Sequence, residues 1–208
     1  MKLILIRHGE TDWVRRHLYQ GSTDVPLNQR GFGQARAVAL TIKKEKPIAV
    51  YSSELTRAQE TAKLIAEASR KKVITDKDLN EVSFGRWEGK SHESVRIQSP
   101  KASANWYKAN WSSQPPGGES LRSLEKRVSR FLVGLFKKYS DSDRSCIVVT
   151  HGGPIRMFLI CLLNIKPEVF WSIRVDVASV TVMNISACRN ELMLLNSQAH
   201  LNGFKRDY

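Results

Sequence analysis

The sequence predicts an α/β protein, a three-layer α/β/α sandwich with a mostly parallel central sheet and a small helical cap, on three observations. Two short apolar runs, Leu3-Ile4-Leu5-Ile6 and Cys146-Ile147-Val148-Val149, read as the fully buried strands of a parallel sheet. Helical stripes with apolar residues three and four apart lie between the strand-like runs. Each of the two runs then ends near a histidine followed by glycine, His8-Gly9 and His151-Gly152. In open α/β sheets ligands bind beyond the carboxyl ends of strands. Two imidazoles delivered there, one with Arg7 beside it, suggest a site for an anion.

The first strand spans about Lys2 to Ile6. A polar loop follows to Asn28, punctuated by Gly21, Ser22, Asp24 and Pro26, and loops of that length in compact domains are often functional. Asn28 or Gly31 opens a helix through Ala35, Val38, Ala39 and Ile42, which Pro47 stops. Ile48-Ala49-Val50-Tyr51 is the next strand. Ser52-Ser53-Glu54 starts a helix, with Ser53 as its cap and Leu55, Ala58, Ala62 and Ile65 on one face. Arg57 sits in the first turn, where the helix dipole disfavours a cation. A bound anion would account for it and would suit the free N–H groups of that end. Val73-Ile74 is a short strand. Residues 89–118 form a mostly helical excursion closed by Pro115-Pro116-Gly117-Gly118. Glu119-Ser120 starts a helix with the stripe Leu121, Leu124, Val128, Phe131, Leu132 and Leu135. Pro154 opens another through Leu163, and Ser179–Ile185 pairs with Leu192–Leu195 as a terminal hairpin.

With 208 residues the chain fits one domain, 1–208, with the cap at about 89–118. No apolar run is long enough to span a bilayer. The four apolar residues between Lys2 and Arg7 are too few for a signal peptide, so a cytoplasmic location and no membrane partner are expected. Cys146, Cys161 and Cys188 lie in apolar surroundings without metal or disulfide spacing, and read as buried free thiols. A net charge of +13 favours anionic partners. Its basic clusters fall at helix ends, no nucleic-acid motif appears, and a phosphorylated small molecule is the expected partner. A homodimer stays open. His17 and His92 read as surface residues, and His200 as a packing or capping residue.

The residues to explain together are Arg7, His8, Arg57, Glu81 and His151. Around a phosphoryl group, neutral His8 could attack phosphorus. Arg7 and Arg57 could hold the equatorial oxygens, and protonated His151 could add a donor. Glu81 could protonate the leaving oxygen and then deprotonate the attacking water. Positioning and electrostatics are most of what phosphoryl transfer asks of a protein, so neither metal nor cofactor is needed. Taken singly, each of these residues is more ordinarily a hydrogen-bonded histidine, a surface ion pair or a solvated carboxylate.

Five motifs in order carry a resemblance. Arg7-His8-Gly9-Glu10-Thr11 resembles the signature of the histidine phosphatase superfamily, in its phosphoglycerate mutase-like branch. Asp24-Val25-Pro26-Leu27 with Gly31, Gln34 and Ala35 looks like that family's segment after the phosphate loop. Ser52 to Ala62 looks like its arginine helix. Leu79-Asn80-Glu81 with Gly85, Trp87, Glu88 and Gly89 looks like its acid/base segment, and Thr150-His151-Gly152-Gly153 like its second-histidine segment. The resemblance implies His8 as the phosphorylated residue and Glu81 as acid/base. It implies Arg7, Arg57 and His151 as phosphate ligands, with Gln20, Gly21, Ser22 and Gly152 in the same pocket. Val14 stands where the family usually has asparagine, so either Arg15, Gln20 or Ser22 supplies the missing donor or phosphate is held more loosely.

Within that family the compact chain favours hydrolysis over mutase chemistry. The segments Phe84-Gly85-Arg86-Trp87-Glu88, Phe170 to Val175 and Leu194-Leu195-Asn196-Ser197 resemble bacterial alpha-ribazole phosphatases. Trp106 and Trp111 would either stack on an aromatic base or form the core of the cap. A broad-specificity phosphatase and a phosphoglycerate mutase-type isomerase are the alternatives, and a non-catalytic phosphate- or nucleic-acid-binding protein is a third. Retention of all five chemical residues argues against the last.

Overall fold

Strand alternation decides which side of the sheet each residue of β1 (Lys2–Arg7) faces. Leu3 and Leu5 enter one buried apolar cluster, and Ile4 and Ile6 enter another. A sheet buried on both faces is the consequence, and the expected three layers follow from it. The computed structural model describes residues 1–139, 142–186 and 188–201.

After β1 the polar loop holds a single short helix, α1 (Asp12–Arg15), capped by Thr11. Asn28, not Gly31, caps α2 (Gln29–Ile42), its side-chain oxygen accepting from Gly31 N at 2.8 Å. Next come β2 (Ala49–Ser52), α3 (Thr56–Ser69) and β3 (Val73–Thr75). The excursion carries α4 (His92–Gln98) and α5 (Pro100–Tyr107). The long amphipathic α6 (Leu121–Tyr139) precedes β4 (Ser145–Thr150), α7 (Gly152–Leu163), β5 (Val180–Ile185) and β6 (Asn190–Ser197). Strand order is β3-β2-β4-β1-β5-β6. The first four strands run parallel, and β5 and β6 form the antiparallel terminal hairpin.

The helices following β1 and β4 pack on opposite faces. Val38, Ala39 and Ile42 of α2 join the cluster of Ile4 and Ile6, whereas Phe158 and Leu162 of α7 join that of Leu3 and Leu5. The crevice between the carboxyl ends of β1 and β4 is therefore a topological switch point, where such sheets bind ligands.

Three expectations need correction. Helix α3 starts at Thr56, and Ser53 is not its cap. Asp24 reaches across from the loop instead, its carboxylate accepting from Thr56 N (2.8 Å) and Thr56 Oγ1 (2.6 Å). The anion at this helix end is thus the protein's own. Helix α7 starts at Gly152, ahead of Pro154, with His151 as its N-cap residue. Of the cysteines only Cys146 is buried; Cys161 is partly covered, and Cys188 is exposed because it lies in the hairpin turn. His200 packs as expected, its Nε2 2.9 Å from Ala178 O. Among the described residues no helix is long and apolar enough to cross a membrane.

One bond ties the sheet to the segment carrying Glu81. The fully buried Thr150 hydroxyl donates to Leu79 O at 2.6 Å. Thr150→Val keeps the shape and removes that donor, which should cost about 1–3 kcal/mol. The expected reading is a lower urea midpoint with an unchanged denaturant slope.

Candidate active site

Strand register brings the two histidines together. Arg7 pairs with Thr150 at the end of the β1–β4 ladder, so His8 and His151 are each the next residue past it. His8 N donates to Thr150 O at 3.0 Å, and the ring centroids lie 5.0 Å apart. Both rings are buried, His8 at 2% exposure and His151 at 0%. His8 Nδ1 is 2.7 Å from Gly9 O. A carbonyl only accepts, so Nδ1 carries the proton and Nε2 is left with its lone pair. Burial, then the positive charges of Arg57 and Arg7, hold His8 well below its usual pKa, which keeps the ring neutral.

His151 is neutral for the same reasons, burial first and then Arg57. Arg57 Nε donates to its Nδ1 at 3.3 Å, and its Nε2–H faces Ser53 Oγ at 2.7 Å. That contact explains why Ser53 is not a helix cap. In this arrangement His151 accepts from Arg57 and is not an imidazolium donor.

The Arg57 guanidinium is wholly buried. Nη1 donates to Thr23 O (3.0 Å) and lies 3.3 Å from the Gln20 amide oxygen, and Nη2 donates to Gly21 O (2.7 Å), which leaves Nη2 a second N–H for an anion. Burial lowers its pKa to about 10, against the support of Glu81 and Asp24. Arg7 donates through Nη1 to Val175 O at 2.7 Å, and its buried Nε has no hydrogen-bond partner. Such an orphan donor suits a phosphoryl oxygen.

Glu81 accepts from Val82 N (2.9 Å) and from Gly153 N in the first turn of α7 (3.1 and 3.3 Å). Burial raises its pKa, while Val82 N, Arg7, Arg57 and Arg156 oppose the rise. A carboxyl shifted upward can carry a proton to a leaving group near neutral pH.

A cavity of ≈ 170 Å³ reaches Arg7 and Glu81, while His8, Arg57 and His151 are not among its lining residues. Arg7, Glu81, Gly152 and Gln20 line it, as does Val14 at the position usually held by asparagine. Gln20 is the one of the three suggested replacements that faces the cavity; it sits 2.6 Å from Thr11 Oγ1 and 3.2 Å from Arg57 Nε. Arg15 is exposed. Ser22 turns its N–H and hydroxyl to Glu88, and Gly21 contributes its carbonyl to Arg57.

The aromatic wall differs from expectation. Trp106 is fully buried in the core of the cap, and Trp111 lies under Arg122, so neither lines this cavity. Tyr19, Phe84, His92, Phe170 and Trp171 do. Trp106 instead supports two of them, making edge contacts to Phe84 (5.9 Å) and Trp171 (5.5 Å) and accepting from Trp171 Nε1 at 3.2 Å. His92, read from sequence as a surface residue, is stacked on Tyr19 at 4.2 Å and belongs to the wall. Arg156 was not anticipated. It packs over Trp171 (5.2 Å) and Phe170 (5.6 Å), and burial lowers its pKa to about 10. A lone cation in the apolar helix Gly152–Leu163 was the available signal.

Paired histidines, buried arginines and an adjacent protonatable carboxyl define a phosphoryl-transfer pocket. The comparisons agree. The family described as histidine phosphatase superfamily (branch 1) matches residues 3–198. Phosphoserine phosphatase 1 of Hydrogenobacter thermophilus is 35% identical over 204 residues, 98% of this chain and 96% of that protein. The adenosylcobalamin/alpha-ribazole phosphatase of Escherichia coli is 32% identical over 201 residues, 96% of this chain and 97% of its own. The alpha-ribazole phosphatase structure from Shigella flexneri superposes with a TM-score of 0.83 at 30% identity, covering 95% of this chain and 96% of that one. The chain belongs to the histidine phosphatase superfamily, branch 1.

Gly153 is constrained by Glu81, because a Cβ there would strike Glu81 Oε1. The carboxyl is the mobile partner, so Gly153→Ala should move it and leave the fold intact. We expect kcat/KM to fall about 10–100-fold, within what a displaced general acid can cost. Tm should change by less than about 2–4 °C.

Proposed function

We propose that the protein is a metal-independent phosphomonoesterase working through a phosphohistidine at His8. The observation that carries this reading is the Nδ1–Gly9 O bond, which leaves Nε2 unprotonated in a ring that feels Arg57 and Arg7. Nε2 attacks phosphorus, the ester P–O bond breaks, and Glu81 gives its proton to the leaving oxygen. Glu81, now a carboxylate, takes a proton from water as the water oxygen bonds to phosphorus. The N–P bond breaks, orthophosphate leaves, and His8 returns to neutrality. Arg7 and Arg57 hold the equatorial oxygens in both halves, and His151 keeps Arg57 in place.

For the natural substrate we propose alpha-ribazole 5′-phosphate. The aromatic lining by Trp171, Phe84 and Tyr19 supports an aromatic or ribosyl leaving group. One observation favours a second reading. Arg156 lies near enough to Glu81 to act on it, beside the place a leaving oxygen would occupy, and it suits a carboxylate-bearing ester such as phosphoserine.

Phosphate release in EDTA from alpha-ribazole 5′-phosphate, phosphoserine, 3-phosphoglycerate and p-nitrophenyl phosphate tests both levels. Turnover should vanish in His8→Ala. Trp171→Ala should reduce kcat/KM selectively for the ribazole ester if the first reading holds, and Arg156→Gln selectively for phosphoserine if the second does. Isomerisation of 3-phosphoglycerate without free phosphate would replace hydrolysis by mutase chemistry.

The pH profile has a defined sign. Glu81 must be protonated for the first step, so kcat/KM should fall as pH rises through its elevated pKa. His8 must be neutral, so the acid limb should lie well below pH 6.5. Glu81→Gln should abolish the alkaline limb, and an unchanged limb would assign it to another group.

A further inference from the structure

The geometry points to Glu88 as a positioning residue that sets the phosphate-binding geometry of Arg57 through the loop 20–23, an inference that rests on Arg57 being a phosphate ligand. Glu88 touches neither histidine. It follows a 3-10 turn, Gly85–Trp87, seven residues beyond Glu81 in sequence. Its carboxylate gathers donors from two segments. Oε1 accepts from Ser22 N (2.9 Å), Ser22 Oγ (2.9 Å) and Phe84 N (3.1 Å). Oε2 accepts from Thr23 N (2.7 Å) and Thr23 Oγ1. Burial alone would raise its pKa, but the hydrogen bonds from Thr23 and Ser22 outweigh burial and keep it ionised.

The residues so held present the carbonyls that Arg57 uses. Gly21 O and Thr23 O take Nη2 and Nη1. The chain of contacts therefore runs from Glu88 through the backbone of Gly21 to Thr23 to the guanidinium. Close approach is built in at Gly21, where a Cβ would collide with Glu88 Oε1, Val82 O and Phe84 N. A carboxylate suits this job because it only accepts, and it offers about four lone-pair directions on two oxygens. Glutamine cannot reproduce it. Its NH2 would face two N–H or O–H donors on the Thr23 side or three on the side of Ser22 and Phe84, and the loop there would be released. One carboxylate thus fastens the arginine side of the pocket to the segment that carries Glu81.

The test is a double-mutant cycle between Glu88→Gln and Arg57→Gln, read by orthophosphate affinity and by kcat and KM for p-nitrophenyl phosphate. In the wild-type background Glu88→Gln should weaken orthophosphate binding and raise KM about 10–100-fold, the scale of losing hydrogen bonds to a charged group. The change in kcat should be smaller. In the Arg57→Gln background the same change should cost less than about 2-fold, because the guanidinium it acts through is gone. Thr23→Val removes one hydroxyl donor at an exposed residue and should give a smaller loss of the same kind, which keeps the inference testable if Glu88→Gln folds poorly. Unchanged orthophosphate affinity in both variants would overturn it. So would full multiplication of the two effects, the signature of a merely structural residue. Wild type that binds orthophosphate but shows no His8-dependent turnover would sink the phosphatase reading, while the affinities would still decide the role of Glu88.

Discussion

A guanidinium with none of its surface exposed cannot stay charged unless its N–H groups meet acceptors. Arg57 is that group, and the site is built around satisfying it. Gly21 O, Thr23 O and His151 Nδ1 each take one N–H. Each partner belongs to a different part of the chain: Gly21 and Thr23 to the loop after β1, His151 to the end of β4, Arg57 itself to α3. Asp24 caps α3 from that same loop, so the helix offering the arginine and the loop receiving it are joined twice. Removing this cation would leave the buried Gly21 O and the Thr23 O without its N–H groups.

Burial first, and then charge, explains the protonation states. Arg7 and Arg57 stand near His8 and His151, and the buried imidazoles respond by staying neutral. Neutrality leaves His8 Nε2 with a free lone pair, as the proposed attack on phosphorus requires, and lets His151 Nδ1 accept from Arg57. Glu81 feels the opposite pull, because burial favours its acid form while the arginines favour its carboxylate. Its pKa still rises. The balance suits the proposed role, in which Glu81 gives a proton in one step and takes one in the next. Burial and then the charge of Arg7 lower Arg156, a like-charge pressure that a phosphoryl dianion would offset.

How legible was this in the sequence? The strand–histidine units were legible because both are apolar runs whose period cannot be mistaken, and their parallel register then fixes the meeting of His8 and His151. Arg57 was legible as a cation in a helix turn that disfavours one. Caps were not, because capping is a competition. Ser53 has the right chemistry, yet its hydroxyl went to His151, and Asp24, distant in sequence, took Thr56 N. The tryptophans misled because residue type alone does not say which side of a cap faces the cavity. Trp106 was drawn inward by Phe84 and Trp171, while Trp171 lines the cavity. His92 looked solvated in a polar stretch, and only the fold brings Tyr19 against its ring.

That contrast follows from where each kind of group is rooted. Arg7, His8 and His151 sit on or just past the ends of strands, and Arg57 on the first turn of a packed helix. Their positions depend on ladder register and core packing, which short sequence patterns encode. The selective wall comes from elsewhere: Tyr19 and Leu18 from the loop after β1, His92 from the cap, Phe170 and Trp171 from the turn after α7. These segments meet only through contacts between distant side chains, such as Trp106 against Trp171 and Tyr19 hydroxyl against Tyr107 hydroxyl at 2.9 Å. Such contacts can be rebuilt without moving the strand ends. One set of phosphoryl-transfer residues can then serve leaving groups as different as an amino acid and a ribosyl ring. Chemistry is therefore written in the rigid elements of this chain, and substrate choice in the loops and cap that rest on them.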